Sequence, residues 1–189
     1  MKKLIITAHP SSQGFTQRIA KTFAESAQSA GHSVEVINLY DPQWHQDFLK
    51  FETVKEWPVD PVREKIQEKI LWADELVFVC PVWWGYVPAV MKNFFDCNFT
   101  SGFAFKFQKG KTMPDKLLRG RTAQIFMTCD GPKIFYYLLL FPFRTILKYI
   151  TLEFCGIKLK RFFLFDQMHK KSESQKAKIL DKVCKYVDA

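Results

Sequence analysis

Three short stretches of the 189-residue chain carry groups with which chemistry could be done. The first, "HPSSQGFT" at 9–16, sets the hydroxyls of Ser11, Ser12 and Thr16 around Gly14, with His9, Gln13 and Phe15 beside them, where a helix begins. The free N–H groups and dipole of a helix start favour an anion, and a glycine lets the backbone come close to it, so the stretch suits a phosphate. The same residues also read as an ordinary Ser/Thr helix cap. The second, "PVWWGYVP" at 81–88, holds the rings of Trp83, Trp84 and Tyr86, with Val82 and Gly85, between Pro81 and Pro88. Broad rings and backbone amides in a loop braced by prolines suit a flat heteroaromatic ligand; core packing is the other reading. The third, "TCDGPK" at 128–133, is a turn in which Thr128, Cys129, Asp130 and Gly131 can present amides to a polar ring edge.

In the segments between these stretches, short apolar runs alternate with helical ones. Strands are expected at Lys3–Ala8, Ser33–Leu39, Glu75–Cys80, Thr122–Thr128 and Lys158–Phe165, β-branched and aromatic residues filling them. Helices are expected at about Thr16–Ser29, ending at Gly31, and at Val62–Trp72, Ala89–Phe99 and Ser172–Tyr186, with an irregular excursion over 41–60. Five strands joined by helical crossovers require a parallel sheet covered on both faces, and runs such as "ELVFVC" and "RFFLF" suit strands buried on both sides. The expected architecture is one α/β domain over 1–189, three-layered and flavodoxin-like, with strand order 2-1-3-4-5. Its ligand crevice lies where the chain reverses between strands 1 and 3. The loops that border such a crevice are the three stretches above.

A phosphate site beside a planar-ring site at one switch point points to a flavin. At this point the chain resembles the flavodoxin-like NAD(P)H:quinone oxidoreductase (diaphorase) family. "LIITAHPSSQGFT" resembles its strand, histidine and flavin-phosphate loop, "PVWWGYVPAVMKNFFD" its isoalloxazine loop and following helix, "TCDG" its turn after the fourth strand, and "FCGI" at 154–157 a segment before the last strand. The likeness runs over about residues 3–170. It implies FMN or FAD as cofactor, NAD(P)H as co-substrate, and ping-pong hydride transfer through flavin N5 to a small-molecule acceptor such as a quinone, azo or nitro compound. His9, Ser11, Gln13, Gly14, Phe15 and Thr16 would hold the flavin phosphate, backbone amides over Val82–Gly85 its N5 and O4, and those over Thr128–Gly131 its pyrimidine edge. Relatives carry a tyrosine and a histidine that polarise the acceptor; Tyr136 fits the catalytic tyrosine, and no histidine follows it as far as Phe143. The family's turn after strand 4 has paired glycines where this chain has Cys129 and Asp130. A carboxylate near the pyrimidine edge disfavours an anionic reduced ring, so Asp130 is expected either to point to solvent or to lower the potential.

Composition bounds the remaining possibilities. Five scattered cysteines without a CxxC pair make neither a disulfide framework nor a zinc site, and His32, His45 and His169 join no metal set. A reducing, cytoplasmic location is expected, since the apolar run after the N-terminal lysines is too short for a signal peptide. In such a compartment the Asn98–Thr100 sequon is a coincidence. Residues 1–103 carry 10 basic and 12 acidic side chains, and residues 104–189 carry 18 and 7, so the second half holds the whole positive excess. No nucleic-acid-binding signature accompanies it. "QKGKT" at 108–112 ends like a phosphate-binding P-loop, but Phe105 occupies the place of its first glycine. The apolar stretch 133–150 is interrupted by Pro142 and Arg144 and falls short of the roughly 20 residues that span a bilayer. It is expected to cover the flavin and to form a two-fold homodimer interface, so that charges at Leu139 and Phe143 would split the dimer or precipitate the protein and reduce turnover. The alternative is a regulatory subunit on a membrane surface or transporter, with redox activity secondary.

Overall fold

The computed structural model describes residues 1–53, 57, 59–138 and 141–188. Strands β1 (Lys2–Thr7), β2 (Ser33–Asn38), β3 (Glu75–Pro81), β6 (Thr122–Thr128) and β7 (Lys158–Phe165) form a parallel sheet in the order β2-β1-β3-β6-β7. Counting only these five strands, the order is the expected one, and the fold is flavodoxin-like α/β. Helices α1 (Phe15–Ser29), α2 (Pro61–Trp72) and α3 (Ala89–Asn98) lie in the connections that follow β1, β2 and β3, and α7 (Glu173–Cys184) follows β7. The Asp60 carboxylate caps α2 by accepting from Val62 N–H, and Ser172 with Gln175 forms a reciprocal capping box at α7.

The register decides which loops meet. Thr7 pairs with Asn38 and with Val79, Pro81 with Thr128, and Thr128 with Phe165. The segments after β1, β3, β6 and β7 therefore leave the sheet side by side at its carboxyl end. Alternation along each strand divides the core in two. Leu4, Ile6, Leu76 and Phe78 face α2 and α3, while Ile5, Val77 and Val79 face α1 and α7 with Phe23 and Phe126. β3, central in the sheet, is buried along its whole length.

Four features depart from the sequence expectations or complete them. β7 is an edge strand, so most of "RFFLF" is only half-buried, and Phe163 is covered by Tyr186 rather than by a further strand. "QKGKT" lies in the connection between two short antiparallel strands, β4 (Phe105–Lys106) and β5 (Asp115–Lys116), a setting unlike the strand-to-helix loop that cradles phosphate. The stretch 133–150 is broken into α4 (Lys133–Leu138), α5 (Phe141–Thr145) and a π-helical segment, Ile146–Leu152, that runs into the short α6 (Glu153–Cys155). No helix among the described residues is long and apolar enough to cross a membrane. Phe143 is only 5 % exposed and packs on Tyr136 and Phe162, so a charge there would attack the core, not an interface; Leu139 lies outside the described residues. Asn98 is wholly buried, its Nδ2 donating to Phe94 O and to Gln46 Oε1, which closes the sequon to modification in the folded chain.

Candidate functional site

The loop after β1 is built around His9. Its Nδ1 accepts from Ser11 N–H at 3.1 Å, and Ser11 Oγ accepts from Gln13 N–H at 3.3 Å. The ring lies directly over Gly14: a Cβ on that residue would stand 2.5 Å from His9 Cε1. Gly14 has φ −64°, so its backbone needs no glycine; the close approach does. Gly14 is also the N-cap of α1, and no side chain caps that helix. Ser11, Ser12 and Gln13 are exposed, and Phe15 lies under the Arg18 guanidinium at 5.3 Å. The N–H groups of Phe15 and Thr16 have no hydrogen-bond partner among the described residues. The Ser/Thr-cap reading therefore fails at the side chains expected to supply it. Thr16 is buried and its hydroxyl meets that of Thr128 at 2.9 Å, which ties the first stretch to the third instead of offering that hydroxyl to a ligand.

The loop after β3 is a two-residue hairpin. Trp83 N–H donates to Tyr86 O at 2.9 Å and Tyr86 N–H to Trp83 O at 3.0 Å, with φ +49° at Trp84 and +77° at Gly85. Positive φ at both central residues is the signature of the primed turns that match strand twist. Val82 N–H is already committed to Thr128 O at 2.8 Å, and Trp83 N–H to the hairpin, so neither is available to a ligand. The amides of Trp84 and Gly85 remain, without partners among the described residues. Trp84 is fully exposed and Trp83 partly so. Tyr86 is half-buried against Phe95, Phe99 and the π-helical segment in a cavity of about 280 Å³, and burial pushes its phenol up.

The loop after β6 is held by the end of β7: Cys129 N–H donates to Phe165 O at 2.9 Å and Cys129 O accepts from Met168 N–H at 3.2 Å. Tyr136, from α4, covers Gly131 so closely that a Cβ there would lie 3.2 Å from its ring. Burial and the neighbouring Cys129 raise the Tyr136 phenol, so it stays a neutral donor over the physiological range. The Cys129 thiol, buried and beside Asp166, is pushed up to about 11. Asp130 is exposed and its carboxylate is taken by His169, while its N–H has no partner among the described residues.

The structure thus brings all three stretches, and Tyr136, to one end of the sheet. Sequence reasoning missed two residues there. Gln17 donates to His9 O at 3.3 Å and accepts from the Thr7 hydroxyl at 3.2 Å, fixing the first loop; its place one turn into α1, after Gly14, was the available signal. His169 had no signal at all, because its partner is 39 residues away in sequence. No group of three or more His, Cys, Asp or Glu able to hold a metal exists among the described residues. A phosphorylated planar cofactor fits what is present: an uncapped helix start with two free amides under a glycine, two free amides at an exposed indole, and one at Asp130.

A family model described as flavodoxin-like fold matches residues 1–188. An uncharacterized NAD(P)H oxidoreductase of Haemophilus influenzae is 30 % identical over 177 residues, 89 % of this chain and 85 % of its own length. An FMN-dependent NADH:quinone oxidoreductase of Bacillus licheniformis is 31 % identical over 125 residues, 56 % of this chain and 59 % of its own. The chain spans 60 % of a ribosyldihydronicotinamide dehydrogenase-like protein of Penicillium crustosum, at 28 % identity over 160 residues, 72 % of this chain. The crystal structure of Smu.1420 from Streptococcus mutans superposes with a TM-score of 0.86 at 27 % identity, covering 99 % of this chain and 98 % of that one. The chain belongs to the flavodoxin-like family, and proteins similar to it are named NAD(P)H oxidoreductases and quinone-reducing dehydrogenases.

Proposed function

We propose that the protein is an FMN-dependent NAD(P)H oxidoreductase that reduces quinone, azo or nitro acceptors. FMN, when bound, supplies hydride exchange between a nicotinamide and an acceptor. The chain's part is to bind and orient. The Phe15 and Thr16 N–H groups, at the positive end of α1, meet the phosphate, with Gly14 held open under His9. Trp84 and Gly85 N–H, not the whole run from Val82, face the ring from the hairpin, and Asp130 N–H meets its polar edge. Tyr136 donates from above Gly131 to the acceptor. Nicotinamide and acceptor would use the same site, beside Trp84 and Tyr136, in turn. The observation that carries the reading is the convergence of the unsatisfied amides on three adjacent loops beside an exposed Trp84. FMN is favoured over FAD by the named cofactor of the Bacillus relative.

The partner in this reading is a second copy of the chain. Ile134, Phe135, Tyr137 and Leu138 of α4 and Tyr149 and Ile150 of the π-helical segment are all exposed, apolar or aromatic side chains of the kind that partner surfaces cover. A two-fold dimer would cover it and roof each site. The relatives' names favour the enzyme over the transporter-subunit alternative.

Purified protein should carry the absorption of bound flavin and lose it on anaerobic addition of NADH or NADPH. Steady-state double-reciprocal plots should be parallel. A protein that takes up neither FMN nor FAD sinks the reading, and intersecting lines sink the shared site.

A further inference from the structure

Asp130 stands where the resembled family has a glycine, and its carboxylate is turned to a definite partner. Its Oδ1 accepts from His169 N–H at 3.2 Å and lies 3.2 Å from His169 Nδ1, where an Nδ1–H donates to the same oxygen. His169 sits in the 3-10 turn Met168–Lys170, which follows β7. That turn is fastened to the third loop through Met168 N–H on Cys129 O. β7 flanks β6 on the side away from β3, so the carboxylate is drawn along the sheet edge away from the Trp84 hairpin. The Asp130 N–H, by contrast, stays on the loop beside Gly131 and Tyr136. Nearby charges are already engaged: Asp166 accepts from Lys133 N–H at 3.0 Å and lies 4.0 Å from Lys171 Nζ.

We propose that His169 is a positioning residue for the redox site: by taking the Asp130 side chain it keeps a carboxylate off the polar edge of the flavin while leaving the Asp130 N–H to meet that edge. The inference rests on the flavin reading above. Reduction puts negative charge on that edge, and a carboxylate released toward it would weaken binding of the reduced form more than of the oxidised form. Both side chains are more than half exposed, so the pair itself adds little to stability and its loss should not unfold the protein.

The test is the midpoint potential of bound FMN in wild type, His169→Ala, His169→Asn and Asp130→Asn/His169→Ala. His169→Ala should favour oxidised over reduced FMN by about tenfold, a fall of about 30 mV for a two-electron couple. His169→Asn keeps a donor near the position of Nδ1 and should restore the wild-type value, as should the double variant, which has no carboxylate to release. His169→Gln replaces His169→Ala should the latter precipitate, since it keeps the bulk but moves the donor. Wild-type protein that binds no flavin defeats the flavin reading and this inference with it. Flavin bound normally in every variant, with potentials unchanged, defeats this inference alone; a double variant as low as His169→Ala does so too.

Discussion

A methyl group on Gly14 would press into the His9 ring, which is itself fixed by Ser11 N–H and has no space to withdraw without losing that bond. Gly14→Ala is therefore expected to weaken FMN binding by about tenfold or more, roughly 1.4 kcal/mol, with little change in folding. Adding His9→Ala should recover part of the loss in a fluorescence titration; no recovery would mean that the overlap is not the cause. Thr16 presents the opposite case. Its hydroxyl is spent on Thr128, so Thr16→Val should cost about 1 kcal/mol of stability by leaving a buried hydroxyl unpaired, while the Thr16 amide stays free. That glycine matters at 14 was legible from the sequence; that it answers to a histidine five residues earlier, and that Thr16 serves the scaffold, was not.

The hairpin after β3 holds a bulky residue, Trp84, at φ +49°, a conformation that costs an ordinary side chain about 1–2 kcal/mol. Such strain persists only where the surrounding bonds enforce it, here the paired Trp83 and Tyr86 backbones. Trp84→Asn, which tolerates this conformation, should hold or raise the melting temperature yet weaken flavin or nicotinamide binding. A variant that loses both together would show that the indole packs within the fold, against its full exposure. Gly85→Ala should lose both for a backbone reason, since φ is +77° there. Two hydrogen bonds close this loop between the prolines expected to brace it. The elements themselves were readable to within a residue or two in the sheet and its helices, because apolar periodicity is a local property. The broken 133–152 segment was not, since its π-helical turn is set by packing.

Across the whole molecule, burial holds neutral thiols well above their usual 9.0: Cys97 and Cys129 at about 11, Cys155 at about 12, and Cys80 higher still. The folded chain therefore keeps protons that the unfolded chain releases above about pH 9. Their contribution is fully present below that pH and is lost as pH rises toward the folded values. The melting temperature should fall more steeply above pH 9 in wild type than in Cys155→Ala. For assembly, the charges belong on the exposed patch: Leu138→Asp with Ile150→Asp, at residues 73 % and 65 % exposed, should shift a dimer toward monomer in light scattering and reduce turnover. A wild type that is a fully active monomer overturns the dimer.

By itself the sequence determined the parallel sheet, its strand order and the three loops at its carboxyl end. Strand periodicity and crossover length act through neighbours along the chain, and one topology rule then places the crevice. Only the tertiary structure decided which groups in those loops remain free. Val82 and Trp83 amides, the Thr16 hydroxyl and the Asp130 carboxylate are consumed by Thr128, Tyr86 and His169, partners that lie on other strands and turns or are reached only when the hairpin closes. A hydrogen bond is made by distance in space, and the register of β1, β3, β6 and β7 sets that distance.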